Sequence, residues 1–166
     1  LGDLVAEIGN GVEAAGLSDS AVGANVVVLA VPWKAAKDSV RALGDLSGQT
    51  VIDATNPFVK GLNMGVSQDE SGGEFVAGWA IGANVVKALN IVDARLLDGR
   101  KLDGREISIP ICGDDEESKQ IVIRLIAELG FDTVGAGALS NSILLENLAL
   151  LMIRLSMKKS LGNEIG

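Results

Sequence analysis

ANVVVLAVPWKAAKDSVRALGDLSGQTVIDATNP, residues Ala24 to Pro57, holds two short, almost continuous apolar runs, NVVVLAVP and TVIDATNP, on either side of one segment of helical length. Runs of about four to eight Val, Ile, Leu and Ala residues without polar alternation suit strands buried on both faces, as in a parallel sheet covered by helices. The stretch therefore predicts a βαβ unit. Both runs close on a small or polar residue followed by proline, Ala30-Val31-Pro32 and Thr55-Asn56-Pro57, which stops each strand. In open α/β sheets ligands sit in the crevice beyond such carboxyl ends.

The rest of the chain continues the alternation. Leu1 to Ile8 reads as a short helix ending at the Gly9-Asn10-Gly11 breaker, Val12 to Ala15 as a short strand and Ser18 to Gly23 as a helical turn. Strands are predicted over Asn25–Val31, Thr50–Ala54, Asn84–Asn90, Ile107–Cys112 and Phe131–Val134. Helices are predicted over Trp33–Leu43, Gly73–Ile81, the segment from Gly113 to Leu129, and Ser142–Lys159. Phe58 to Gly73 reads as a long loop, the length at which a functional or mobile segment is expected. Asp93 to Arg105, with its two Asp-Gly turns, reads as exposed. The whole predicts a Rossmann-like α/β fold: a mostly parallel sheet flanked by helices, with a long apolar C-terminal helix.

With 166 residues, 48% of them hydrophobic and 22% charged, the chain has the length and composition of one domain with a real core. A net charge of −8 and a pI near 4.5 argue against nucleic acid or an anionic membrane as partner. The longest apolar candidate, Ile143 to Leu155, carries Glu146, Asn147 and Arg154, so no membrane span is expected. A single cysteine, Cys112, excludes an internal disulfide and suits a reducing cytoplasm. The chain opens on Leu rather than Met, in what looks like the end of a helix, so the expectation is one domain, residues 1–166, whose true start is missing.

Each candidate group has a structural reading beside its functional one. Gly135-Ala-Gly137-Ala-Leu-Ser140 nearly matches the dinucleotide fingerprint, but Ser140 replaces the third glycine and no second strand with a terminal acid follows. A helix-opening turn is the reading its spacing favours. Asp114, Asp115, Glu116 and Glu117 read as acids complementing a helix dipole rather than as a metal cluster, so no metal is expected. Cys112, in a strand-like run and with no histidine in the chain, reads as a buried inert thiol. Lys87 could donate a proton to a forming alkoxide, yet on an apolar strand it reads as a surface or snorkelling lysine. Trp33 and Trp79 are core candidates, and Trp33 is equally a candidate pocket wall. No catalytic residue is assigned. Without histidine, the chemistry that suits the chain is direct hydride passage between two aligned rings, for which the protein supplies proximity and shape. The Ser142–Lys159 helix, apolar around most of its circumference, needs cover on two sides and predicts a homodimer, with residues 131–166 as substrate-side and dimerisation segment.

VVVLAVPW (Val26–Trp33), VIDATNP (Val51–Pro57), VVKALN (Val85–Asn90), PICGDDEESK (Pro110–Lys119) and GAGALSNSILLENLALL (Gly135–Leu151) are collinear and together resemble the coenzyme F-420-dependent NADP oxidoreductase family. These are deazaflavin–NADP hydride-transfer enzymes related to the cytosolic domain of STEAP-type metalloreductases. The resemblance implies a Rossmann-type domain whose first strand, glycine-rich turn and 2′-phosphate loop would precede Leu1. It implies NADP beside Ala30, Val31, Pro32 and Trp33, with Thr55, Asn56 and Pro57 near the nicotinamide and Ala136 and Gly137 completing the cofactor set. Asn90, Leu139 and Asn141 would face the second redox partner, coenzyme F-420 or a flavin. The chain departs from the family pattern at Gly135, Ala138 and Ile143, where the family has Asp, Pro and a basic residue. Two alternatives stand beside this reading: an imine or hydroxy-acid reductase using Lys87, and a non-catalytic nucleotide-binding or assembly module.

Overall fold

A computed structural model describes residues 2–9, 11–97 and 107–160. Its core is a five-stranded sheet built from β1 (Val26–Leu29), β2 (Thr50–Asp53), β5 (Asn84–Lys87), β6 (Ser108–Gly113) and β7 (Asp132–Gly135), in the order β1-β2-β5-β6-β7. β1, β2 and β5 run parallel, with Val27 opposite Val51 and Val51 opposite Val85. β6 is antiparallel to β5, and β7 is parallel to β6. The helices are α1 (Gly2–Ile8), α2 (Trp33–Ala42), α3 (Gly72–Trp79), α4 (Glu116–Glu128) and α5 (Ser142–Ser160).

The continuous apolar runs do what two-faced burial requires. Val51 and Val85 point to one face, where they pack with Ala36 and Val40 of α2 and Val76 of α3. Ile52 and Val86, their neighbours in sequence, point to the other, against Val122 and Ile126 of α4. The sheet is thus covered on both sides, as the runs predict. Two helix starts are fixed by local chemistry: Ser71 Oγ accepts from the Glu74 N–H at 3.2 Å to cap α3, and Asp115 Oδ1 accepts from the Ser118 N–H at 2.7 Å to cap α4. Gly130, at φ 83°, closes α4.

Several expectations are corrected. Val12–Ala15 is exposed and pairs with no strand, whereas residues 17–23 form turns, in keeping with the helical turn expected from Ser18 to Gly23. The long loop after Pro57 contains a small antiparallel hairpin of β3 (Phe58–Val59) and β4 (Asn63–Met64), turned at Gly61 and Leu62, both with positive φ. The strand expected to reach Asn90 stops at Lys87, because Leu89 adopts φ 64° and turns the chain. Most of the exposed segment expected between Asp93 and Arg105, positions 98–105, lies outside the described residues. By length and composition Leu139–Met157 does reach the measure of a membrane-crossing helix, contrary to the sequence expectation, with a third of that window buried. Its first half is held on the sheet by buried Leu145, Glu146, Ala149 and Leu150.

Candidate functional site

Two adjoining hollows open at the carboxyl ends of β1, β2 and β5. The first, of about 490 Å³, lies over the end of β1 and is walled by Ala30, Val31, Pro32, Trp33, Thr55 and Phe58. The second, of about 500 Å³, lies between the end of β5 and the second half of α5, against Asn90, Ile91, Ala149, Met152 and Ser156. Ala54, Asn56, Leu89 and Val92 line both, so the two form one cleft with a waist.

The waist is built from two strand ends that hold each other. Asn56 Nδ2 donates to the Asn90 carbonyl at 2.8 Å, and Asn90 Nδ2 donates to Asn56 Oδ1 at 3.0 Å and to the Leu145 carbonyl of α5 at 3.2 Å. Asn90 Oδ1 is buried and has no hydrogen-bond partner among the described residues. Such an acceptor is costly to leave unmet. Leu89, next to it, is a non-glycine residue in the left-handed region, a conformation that persists only where its surroundings impose it and that clusters at binding sites. In the first hollow Trp33 is half-buried, its ring 5.3 Å from that of Trp79, so it serves the core and the cleft together.

Beneath the waist lies a charge cluster that the sequence reading missed. Lys87 is fully buried, not on the surface. Its Nζ donates to Asp53 Oδ2 at 2.9 Å and to the Thr55 carbonyl at 2.6 Å, and it pairs with Glu146 Oε1 at 2.8 Å. Asp53 and Glu146 are equally buried. Asp53 Oδ1 accepts from the Thr55 N–H at 2.9 Å and from Thr55 Oγ at 2.7 Å. Glu146 also accepts from the Gly72 and Gly73 N–H groups, each at 3.0 Å, which satisfies the start of α3. A signal did exist: Asp53, Lys87 and Glu146 are lone charges inside apolar runs, and charges buried in a folded chain must be paired.

The cleft gathers Ala30, Val31, Pro32, Trp33, Thr55, Asn56 and Asn90. Pro57 follows directly, its ring packed within reach of Gly72. Ala136, Gly137, Leu139 and Asn141 are elsewhere. The Ala136 N–H donates to the Ile111 carbonyl at 2.7 Å, the Gly113 N–H to the Gly137 carbonyl at 3.1 Å, and the Leu139 N–H to Asp114 Oδ1 at 2.9 Å. Asn141 Nδ2 donates back to the Ala136 carbonyl at 2.6 Å. Because β6 is antiparallel to β5, this turn sits by the Asn84 end of β5 and Asn90 beyond the other end. None of the four lines either hollow, although α5, which Asn141 leads into, returns to Asn90 at the Leu145 carbonyl.

The cleft is nearly free of ionised side chains. Asp93, at the rim of the second hollow, is the one acid lining it, and its hydrogen bonds to Arg95 hold the carboxyl down at about 2. No basic side chain among the described residues lines either hollow. Cys112 lines neither hollow; its Sγ lies 3.5 Å from Ser142 Oγ, and burial pushes its thiol above the ordinary value.

Comparison with known proteins gives the family and the fold. Residues 1–57 match the family described as NADP oxidoreductase coenzyme F420-dependent. The F420-dependent NADP reductase of Methanocaldococcus jannaschii is 31% identical over 155 residues, which cover 89% of this chain and 69% of that protein. The metalloreductase STEAP3 of Rattus norvegicus is 27% identical over 136 residues, 81% of this chain but 27% of its own length. A crystal structure from Arthrobacter sp., described as an F420-dependent NADP-reductase, superposes with a TM-score of 0.78 at 29% identity, covering 90% of this chain and 70% of that one. The chain thus spans about a quarter of the metalloreductase and about two thirds of the reductases. By fold and by sequence, the chain belongs to the F420-dependent NADP oxidoreductase family.

Proposed function

We propose that the chain is the ring-binding part of an NADP(H)-dependent oxidoreductase that passes hydride between nicotinamide and a deazaflavin or flavin. The observation that carries this is the cleft itself: two joined hollows of similar size, apolar or amide-lined, at the strand ends of a protein in an NADP oxidoreductase family. When bound, the nicotinamide supplies a hydride, and the second ring takes it.

The residues fit two neutral flat rings. Val31, Pro32 and Trp33 offer an apolar wall, and the Asn56 and Asn90 amides supply the polar part of the lining. What the chain's own residues do is hold, orient and exclude water, which suffices for the hydride step itself, the proton that completes the reduced ring being taken up from solvent afterwards. An imine or hydroxy-acid reductase would need a proton from Lys87, but Lys87 is fully buried, lines neither hollow and donates to Asp53 and the Thr55 carbonyl, which counts against that alternative.

A second copy of the chain is part of this reading. Leu144, Leu148, Leu151 and Leu155 are exposed along α5 at heptad-like spacing, and we assign that stripe to a homodimer, with the cytoplasm as its compartment. The oxidoreductase reading is tested by following NADPH oxidation spectroscopically with F420, FMN or FAD as acceptor. Turnover with one of them, lost in Trp33→Ala, supports it. NADPH binding without oxidation of any acceptor would leave the non-catalytic module.

A further inference from the structure

We infer that Lys87 is a positioning residue: with Asp53 and Glu146 it fixes the Thr55–Asn56 turn, and thereby the amide that faces both hollows. This rests on the cleft being the ring site proposed above. Two carboxylates and one ammonium, all fully buried, are a poor way to gain stability, since apolar side chains of similar volume do as well or better. Their geometry offers another reason for the cluster.

Three of the cluster's bonds end on Thr55, in the wall of the first hollow, and two on the start of α3. Lys87 Nζ grips the Thr55 carbonyl, and Asp53 grips the Thr55 N–H and hydroxyl, so the residue just before Asn56 is held through its N–H, hydroxyl and carbonyl. Asn56 follows directly, and its side chain meets Asn90 in the paired amides of the waist. Glu146 carries the same constraint outward. It belongs to α5, whose next turns, Ala149 to Ser156, wall the second hollow, and it binds the first N–H groups of α3. One cluster therefore sets the floor between the hollows and the distance from that floor to the far wall. Transfer between two rings depends steeply on their alignment.

The test uses the full chain with NADPH and whichever acceptor it reduces. Lys87→Met is expected to lower kcat on the order of a hundredfold, the scale of an ångström-size misplacement. Its affinity for adenosine 2′,5′-bisphosphate, which has no nicotinamide, is expected to match that of the unsubstituted protein. Should Lys87→Met fail to fold, Thr55→Val carries the test: it removes one hydrogen bond and no charge, and is expected to lower kcat about tenfold. Folded variants whose kcat equals that of the unsubstituted protein overturn the inference while leaving the oxidoreductase reading intact. An unsubstituted protein that reduces no acceptor removes both. Equal loss of affinity for the bisphosphate and for NADPH also overturns it, since that marks a general structural defect.

Discussion

Replacing Lys87 with methionine has a thermodynamic consequence separable from any activity. The side chain is fully buried and engages Asp53 at 2.9 Å and Glu146 at 2.8 Å. Methionine keeps most of the volume but leaves two buried carboxylates with no counter-charge. Breaking a buried pair from one side costs about 3–5 kcal/mol, against a total stability of about 5–15 kcal/mol for an ordinary domain. For a chain of this size about 2–4 °C of melting temperature goes with each kcal/mol, so the midpoint should fall by roughly 6–20 °C. The assay is thermal and urea denaturation followed by circular dichroism. The loss should be nearly the same at low and high salt, since a buried cluster is little screened. Removing the second charge as well, in Lys87→Met/Glu146→Gln, should recover at least about 1 kcal/mol of the single-variant loss, a coupling of the size expected for residues in direct contact. A single-variant cost below about 1 kcal/mol, or strictly additive costs, would refute the idea that these charges hold one another.

Other consequences can be checked independently. In Gly73→Ala the new methyl would meet the Ser142 hydroxyl and come within 2.8 Å of Ser142 Cβ. An overpacking cost of about 1–3 kcal/mol is expected in denaturant titrations, and relief by adding Ser142→Gly identifies the clash as the cause. Leu148→Glu together with Leu151→Glu should halve the mass seen by analytical ultracentrifugation while sparing the melting point of the monomer; a mass unchanged from the unsubstituted protein rules out the stripe as interface. Cys112, buried and with its thiol pushed up by desolvation, should resist iodoacetamide at pH 8 until the chain opens, so rapid labelling of native protein would contradict its placement. Because that thiol holds its proton to higher pH when folded than when unfolded, its contribution to stability is complete below the unfolded value of about 8.5. It declines as pH rises through the folded value, visible as a lower urea midpoint in alkaline buffer.

The parallel half of the sheet was legible because Val51 and Ile52, like Val85 and Val86, are apolar neighbours with a helix on each side, and only two-faced burial explains such runs. The prolines after Val31 and Asn56 marked the strand ends and so the first hollow. What stayed hidden was set by long-range geometry. Lys87 read as a surface residue since nothing local reveals that Asp53, 34 positions earlier, and the start of α5 converge on it. The Ala136–Asn141 turn read as part of the same site because a sequence pattern does not show strand direction, and the antiparallel β5–β6 pair carries it to the opposite edge. Leu89 left no trace either, as leucine is among the residues least expected at positive φ.

The bonds from Glu146 back to Gly72 and Gly73 span 74 and 73 positions, and Glu146 follows Lys87 by 59. On a ribosome adding about 5–20 residues per second, roughly 3–12 s separate the lysine from its second carboxylate. During that interval the emerging chain holds an Asp53–Lys87 pair and a helix start with two unmet N–H groups. α5, the last helix among the described residues, walls the second hollow, so a message cut short before α5 yields a cleft without its far wall.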